Sequence, residues 1–130
     1  MARLLLDTTV LIDVLRGRAA AARLREMRSI DEPPYVCAIN VEELWRGLRE
    51  DEADAARRLI GACRIAPLGR PEGEIAGRWR ASFTARGVTL AQADCLIAAA
   101  ALGVGARIAT GNPRHFPMDE LVLEHWPSGS

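Results

Sequence analysis

Four oxygen-bearing side chains, far apart in the sequence, stand where they could share one reaction centre. They are Asp7, Glu43, Asp94 and Asn112. Carboxylate and amide oxygens, without histidine or cysteine, suit a hard cation such as Mg²⁺ or Mn²⁺. A cluster of this kind supports metal-assisted hydrolysis of a phosphodiester, in which the cation activates a water molecule and neutralises charge on the phosphate.

Asp7 also has an ordinary structural alternative, and Asp94 stands where a charge needs a partner. Asp7 follows the apolar run Leu4, Leu5 and Leu6 and precedes a predicted helix, where aspartate is a common N-cap. Asp94 stands in an otherwise apolar, alanine-rich helix, where a charge costs stability unless a partner is present. The chain contains no lysine, so that partner is an arginine or a bound cation. Without a cation, clustered acids repel one another, and at least one should have a raised pKa.

Two threonines are candidates for a supporting role. Thr9 lies two residues after Asp7, and Thr110 lies two residues before Asn112. Their hydroxyl groups could hold a water molecule on the cation. Local capping and turn hydrogen bonds explain both residues equally well.

Composition narrows the classes of function. The chain has 130 residues with 17 basic and 17 acidic side chains, so its net charge gives no overall attraction to nucleic acid. All 17 basic residues are arginine, which excludes every mechanism that needs a lysine. Two scattered histidines and three cysteines without a CxxC pair do not form a zinc site.

The size and hydropathy of the chain predict one globular domain over residues 1–130, with a loose tail at about 127–130. No apolar stretch is long enough to span a membrane, and the first residues lack the features of a signal peptide. We therefore expect a cytoplasmic protein.

Strand and helix signals alternate along the whole sequence. Strands are predicted at 4–6, 35–39, 64–68, 107–110 and 121–125, separated by helices, with Asn40 capping a helix over 41–49. This alternation predicts an α/β fold with a mostly parallel sheet covered on both faces. Strand ends and helix starts of a parallel sheet gather at one edge, so the four oxygen-bearing side chains can converge there.

Four sequence blocks, in order, resemble those of the PIN-domain nucleases, and most of all the VapC toxins of bacterial toxin–antitoxin pairs. The blocks are RLLLDTTVLIDVLRG, INVEELWRG, ADCLIAAAALG and IATGNPRHF, and the similarity runs from about Leu4 to Trp126. The resemblance implies a flavodoxin-like three-layer α/β/α sandwich with a five-stranded sheet. It further implies a Mg²⁺- or Mn²⁺-dependent endoribonuclease that forms a homodimer and is inhibited by a small VapB-type antitoxin whose tail enters the acidic site.

The same resemblance assigns residues. The three acids of the family fall on Asp7, Glu43 and Asp94, whereas Glu42 is out of register and is expected on the surface. The fourth position of the family, often Asp or Asn, falls on Asn112. A neutral residue there would leave a second metal site weaker.

The basic groups that would bind RNA are harder to assign. Arg78, Arg80, Arg86 and Arg114 could reach phosphates beside the cleft. Each is equally an ordinary surface arginine.

Other enzyme classes with a similar layout lack a required residue. A phosphorelay receiver needs a late lysine, a dehalogenase-type phosphatase needs a second Asp at the position of Thr9, and a dinucleotide-binding fold needs a glycine-rich first turn. The remaining alternative is a catalytically inactive PIN-like module that binds RNA or protein without cleaving it.

Overall fold

The computed structural model describes residues 3–28 and 32–129. Its strands are β1 Arg3–Leu6, β2 Tyr35–Val36, β3 Arg64–Ile65, β4 Ala106–Thr110 and β5 Leu123–His125. They form one sheet in the order β3-β2-β1-β4-β5, and every neighbouring pair is parallel. The predicted five-stranded parallel sheet is therefore confirmed.

Six helices connect and cover these strands. They are α1 Thr8–Leu15, α2 Ala19–Arg28, α3 Ala38–Arg46, α4 Ala53–Gly61, α5 Arg70–Ala85 and α6 Gln92–Gly103, with short 3-10 turns at Glu50–Glu52 and Pro113–His115. None of the helices in the described ranges combines the length and the apolar character needed to cross a bilayer.

The sheet separates two hydrophobic cores. Side chains of successive strand residues point to opposite faces, so Leu5 packs with α5 and α6 on one face, and Leu4 and Leu6 pack with α1 to α4 on the other. Ile108 and Ala109 of β4 divide between the two cores in the same way. This arrangement confirms the three-layer α/β/α sandwich.

The central strand β1 places Asp7 at the carboxyl edge of the sheet. Leu5 pairs with Tyr35 of β2 on one side and with Ile108 of β4 on the other. One residue beyond the strand, the Asp7 N–H still donates to the Ala109 carbonyl oxygen at 2.9 Å. The backbone of Asp7 is therefore fixed by the sheet itself.

Helix α3 begins earlier than the sequence predicts. The second strand ends at Val36, Cys37 is the N-cap, and Asn40 is the third residue of the helix and fully buried. The prediction of Asn40 as N-cap is wrong because its Oδ1 reaches back to accept the Cys37 N–H at 2.9 Å. The third and fifth strands are also shorter than predicted, and Pro67, which has no N–H to donate, follows soon after β3.

The segment 127–129 lies where the sequence predicts a loose tail at about 127–130, and it makes a contact with α1. Residues 127–129 are exposed, but the Gly129 N–H donates to Asp13 Oδ2 at 3.1 Å. The other oxygen of Asp13 accepts from Arg18 Nη1 at 2.7 Å, and Asp13 is only 3% exposed. One buried carboxylate thus joins the end of α1, the start of α2 and the C-terminal segment.

We expect Asp13→Ala to lower the free energy of unfolding by about 1–3 kcal/mol, because it removes a buried acceptor that serves two donors. Denaturant unfolding measures the change. Asp54→Ala, which removes the exposed pair with Arg57, is the control and should leave stability nearly unchanged. Equal effects of the two substitutions would contradict this account of Asp13.

Candidate active site

The oxygen-bearing side chains singled out in the sequence line one cleft at the carboxyl edge of the sheet. The cleft has a volume of about 480 Å³, and its lining includes Asp7, Glu43, Asp94 and Asn112. These residues come from the end of β1, from α3, from the first turn of α6 and from the turn after β4. The predicted convergence of Asp7, Glu43 and Asp94 is therefore present in the structure.

Asp7 is both a helix cap and a cleft residue. Its Oδ1 accepts the Thr8 N–H at 2.8 Å, which caps α1. Its Oδ2 accepts a hydrogen bond from the Thr110 hydroxyl at 2.7 Å, and the side chain is almost buried. The structure confirms that Asp7 caps a helix, and it also places the side chain in the lining of the cleft.

Thr9 and Thr110 present their hydroxyl protons to Asp7. Thr110 Oγ1 accepts the Asn112 N–H at 3.0 Å, and Thr9 Oγ1 accepts the Gly111 N–H at 3.0 Å. Because a backbone N–H can only donate, both hydroxyl protons are free for Asp7 Oδ2, at 2.7 Å from Thr110 and at a long 3.5 Å from Thr9. The same two hydroxyl groups thus accept backbone hydrogen bonds and donate their protons to Asp7.

Glu43 is held by a chain of hydrogen bonds with a single direction. The Cys37 N–H donates to Asn40 Oδ1, so the amide nitrogen of Asn40 faces Thr8 and donates to its Oγ1 at 3.2 Å. The hydroxyl of Thr8 then donates to Glu43 Oε1 at 2.7 Å. We call this chain from Asn40 through Thr8 to Glu43 the Thr8 relay.

These supports are neutral, so they leave the charges of the carboxylates in place. Within residues 3–28 and 32–129, neither Asp7 nor Glu43 forms an ion pair with an arginine or a histidine. Asp94 is closer to a basic group, since its Oδ2 lies 3.7 Å from His115 Nδ1. The cleft therefore concentrates negative charge that a cationic ligand can match.

Burial and mutual repulsion raise two pKa values in the cleft. The pKa of Asp7 is raised chiefly by burial and further by the charge of Glu43, against the hydrogen bonds from Thr110 and Thr8. The pKa of Asp94 is raised chiefly by burial, with His115 acting against it and the charges of Asp7 and Glu43 adding to it. The raised pKa values agree in direction with the expectation from the sequence, but burial contributes more to them than the repulsion on which that expectation rested.

The donor set fits a hard divalent cation, although the side chains do not form a closed cage around one. In the part of the chain that the structure describes, no three His, Cys, Asp or Glu side chains are arranged closely enough to hold a metal ion as they stand. Mg²⁺ commonly binds through one or two carboxylates and keeps several water molecules. Asp7, Glu43 and Asp94 with the neutral Asn112 suit binding of that open kind.

Sequence reasoning missed four residues of this site: Thr8, Asn40, Arg46 and His115. Arg46 lines the cleft three residues after Glu43, and Asn40 lies three residues before it. Residues three apart share a helix face, so this spacing was a usable signal. No comparable signal in the sequence marks His115 as a residue of this site.

The arginines predicted to bind RNA have different positions. Arg114 lines a second pocket beside the cleft. Arg80 and Arg86 line neither, and the guanidinium of Arg86 lies 4.1 Å from the centre of the Phe83 ring. Glu42 is exposed and pairs with Arg46 at 3.8 Å, as expected of a surface residue.

Comparisons with known proteins agree with this architecture. The family model described as "PIN domain" matches residues 4–120. Ribonuclease VapC19 of Mycobacterium tuberculosis is 38% identical over 119 residues, covering 88% of this chain and 92% of the relative.

Two solved structures share the fold. VapBC2 from Rickettsia felis, bound to a DNA fragment from its promoter, superposes with a TM-score of 0.83 at 18% identity, covering 95% of this chain and 98% of the other. A toxin–antitoxin complex from Klebsiella pneumoniae gives a TM-score of 0.74 at 21% identity, covering 93% and 96%.

We expect Asp7→Asn to stabilise the metal-free protein at neutral pH. Because the pKa of Asp7 is raised on folding, its ionised form reduces stability above that pKa, and the substitution removes the charge. Thermal unfolding in chelator should give a higher Tm for the variant at neutral pH. The difference in Tm between the variant and the wild type should narrow as the pH falls through the raised pKa of Asp7 towards the ordinary value of 3.8.

The control for this prediction is Asp119→Asn, which removes an exposed aspartate and should not change the Tm. A lower Tm of Asp7→Asn at neutral pH, or a gap that widens in acid, would contradict the prediction.

Proposed function

The chain belongs to the PIN-domain family and is a homologue of the VapC ribonucleases, and we propose that it is a Mg²⁺- or Mn²⁺-dependent endoribonuclease, the toxin of a toxin–antitoxin pair. The observation that carries the proposal is the meeting of Asp7, Glu43 and Asp94 in one cleft without an ion-pair partner for the first two among the described residues. The name of the relative VapC19 supports a ribonuclease.

The proposed cofactor site consists of Asp7, Glu43 and Asp94, with Asn112 beside them. When bound, a divalent cation supplies activation of water and neutralisation of charge on a phosphodiester. The raised pKa values of Asp7 and Asp94, caused chiefly by burial and further by neighbouring acids, show that these side chains would gain from a positively charged ligand.

The chain's own side chains position these acids. The Thr8 relay engages one oxygen of Glu43, and Thr110 with Thr9 engages one oxygen of Asp7. Each acid thus accepts a hydrogen bond from a hydroxyl group whose oxygen in turn accepts an N–H. Such outer contacts fix the direction of a ligand and tune its basicity.

A phosphodiester entering this cleft meets negative charge first, so basic groups at its margin matter for RNA binding. Arg46 lies in the lining and Arg114 next to it, and both support the proposed role. RNA contacts by Arg80 and Arg86 stay predictions.

The proposed protein partners are a VapB-type antitoxin and a second copy of this chain. The antitoxin is supported by the relatives solved as VapBC and toxin–antitoxin complexes. For the homodimer, exposed apolar side chains such as Trp45 and Ile65 offer contact surface. RNA cleavage under the control of an antitoxin would take place in the cytoplasm.

We expect Asp7→Asn, Glu43→Gln and Asp94→Asn each to reduce RNA cleavage by about 100-fold or more, since loss of even an outer contact to a metal ligand costs about 10–100-fold. The assay follows a labelled RNA in Mg²⁺, in Mn²⁺ and in chelator, which should abolish cleavage by the wild type. Glu74→Gln, on the exposed surface of α5 and outside the cleft, is the control and should cleave like the wild type.

Wild-type turnover by any of the three variants would contradict the assignment of that residue. Folded wild-type protein that binds RNA but cleaves none with either metal would favour the alternative of an inactive binding module.

The Thr8 relay generates a separate prediction. Thr8→Val keeps the shape of the side chain and removes the hydroxyl, so Glu43 loses its orientation, and we expect cleavage to fall about 10- to 100-fold. Thr8→Ser restores the hydroxyl and should recover most of the activity. Thr84→Val, at an exposed position of α5, is the control.

Raising the concentration of Mn²⁺ should partly rescue Thr8→Val, because a misoriented ligand binds the metal more weakly. Equal activity of Thr8→Val and the wild type at limiting Mn²⁺ would show that the relay does not position Glu43.

A further inference from the structure

A second pocket adjoins the acidic cleft at the same edge of the sheet. It has a volume of about 320 Å³ and is lined by Gly111, Asn112, Pro113, Arg114, His115 and His125. Asn112 and His115 also line the acidic cleft, so the two pockets share part of their walls, and we refer to the pair as the groove. We call this second pocket the flanking pocket.

The two halves of the groove differ in charge. The acidic cleft carries three carboxylates, whereas the lining of the flanking pocket contains no acid and offers N–H donors from Arg114, His115 and His125. A guanidinium and imidazoles are suited to phosphate oxygens, which accept charge-assisted hydrogen bonds. The groove is therefore suited to an RNA strand, with one phosphate at the acids and the neighbouring phosphate at the basic side chains.

Arg114 is available for such a ligand. Many arginines of this chain already pair with an acid, for example Arg16 with Glu52 and Arg107 with Glu124. The exposed side chain of Arg114 has no ion-pair or hydrogen-bond partner among residues 3–28 and 32–129. An unpaired guanidinium at the wall of a groove can bind an anion without first breaking an internal contact.

The pocket is connected to the acidic cleft through the sheet. His125 of β5 pairs in register with Thr110 of β4, and the Trp126 N–H donates to the Thr110 carbonyl oxygen at 2.9 Å. The hydroxyl of Thr110 in turn donates to Asp7. Groups on paired strands keep a fixed separation, so His125 is held at a defined distance from the acids.

We propose that the flanking pocket binds the RNA phosphate next to the scissile one, with Arg114 and His125 as its donors. This subsite rests on the proposed ribonuclease function, because the acids hold the scissile phosphate only if they bind the cation. It deepens that function by stating that a substrate needs at least two neighbouring phosphates.

The first experiment measures RNA binding without cleavage. A labelled single-stranded RNA of mixed sequence is titrated in Ca²⁺, a hard cation with oxygen ligands that can screen the acidic cleft. Arg114→Ala should weaken binding roughly tenfold, the loss of about one charge-assisted hydrogen bond, and should reduce the salt dependence by about 0.7 in the slope of log K against log salt.

Matched variants distinguish the contribution of this subsite from the effect of removing any one positive charge. Arg58→Ala removes an exposed arginine on α4 that lines neither pocket, and it should bind like the wild type. His125→Ala should also weaken binding, and His125→Gln, which keeps an N–H donor, should recover part of it.

The second experiment measures cleavage of RNA in Mn²⁺. For Arg114→Ala and His125→Ala the loss should fall mainly on KM, since the subsite holds the strand and does not touch the reacting phosphate. If both variants bind and cleave like Arg58→Ala, the subsite is wrong. If the wild type cleaves no RNA while Arg114→Ala still binds it more weakly than Arg58→Ala, the ribonuclease proposal fails and the binding subsite stands.

Discussion

The burial of three carboxylates in one cleft, together with the repulsion between them, is the constraint on which this site depends. Asp7, Glu43 and Asp94 come from three separate elements and line one cleft. Burial, followed by the charges of neighbouring acids, raises the pKa of Asp7 and of Asp94. A protein that only needed stability would gain by neutralising such a cluster. The arrangement is explained if the cost in the free protein is offset by the binding of a cation.

The surrounding structure resists that repulsion with rigid, neutral contacts. The parallel sheet fixes the backbone of Asp7 through its N–H to Ala109, and two hydrophobic cores hold the sheet from both faces. Thr8 and Thr110 each accept an N–H and donate a hydroxyl proton to an acid. The acids are thus held in place and oriented without losing the charge that a cation requires.

Much of this site could be predicted from the sequence because it depends on local signals. An apolar run followed by Asp7 predicts a strand end, and a charge at Asp94 in an alanine-rich helix is unusual enough to require a partner. Parallel topology then brings such positions to one edge. The four resembling blocks supplied the correspondence of Glu43 and excluded Glu42.

The remaining contacts depend on tertiary register, which the sequence does not contain. The sequence predicts Asn40 as a helix cap. Its contact with Thr8 is not predictable, because only the folded chain brings the amide nitrogen of Asn40 to that hydroxyl. His115 acquires its place from a 3-10 turn that sets it beside Asp94. Arg114 could be distinguished from other surface arginines only when its pocket and its lack of an acidic partner among the described residues were known.

We propose that these carboxylates share one divalent cation. Anomalous diffraction from crystals soaked in Mn²⁺ tests it most directly, because the signal locates the ion without assuming its ligands. We expect a single strong peak in the acidic cleft, within coordination distance of oxygens from at least two of Asp7, Glu43 and Asp94. An empty cleft, with Mn²⁺ bound only elsewhere on the surface, would contradict it.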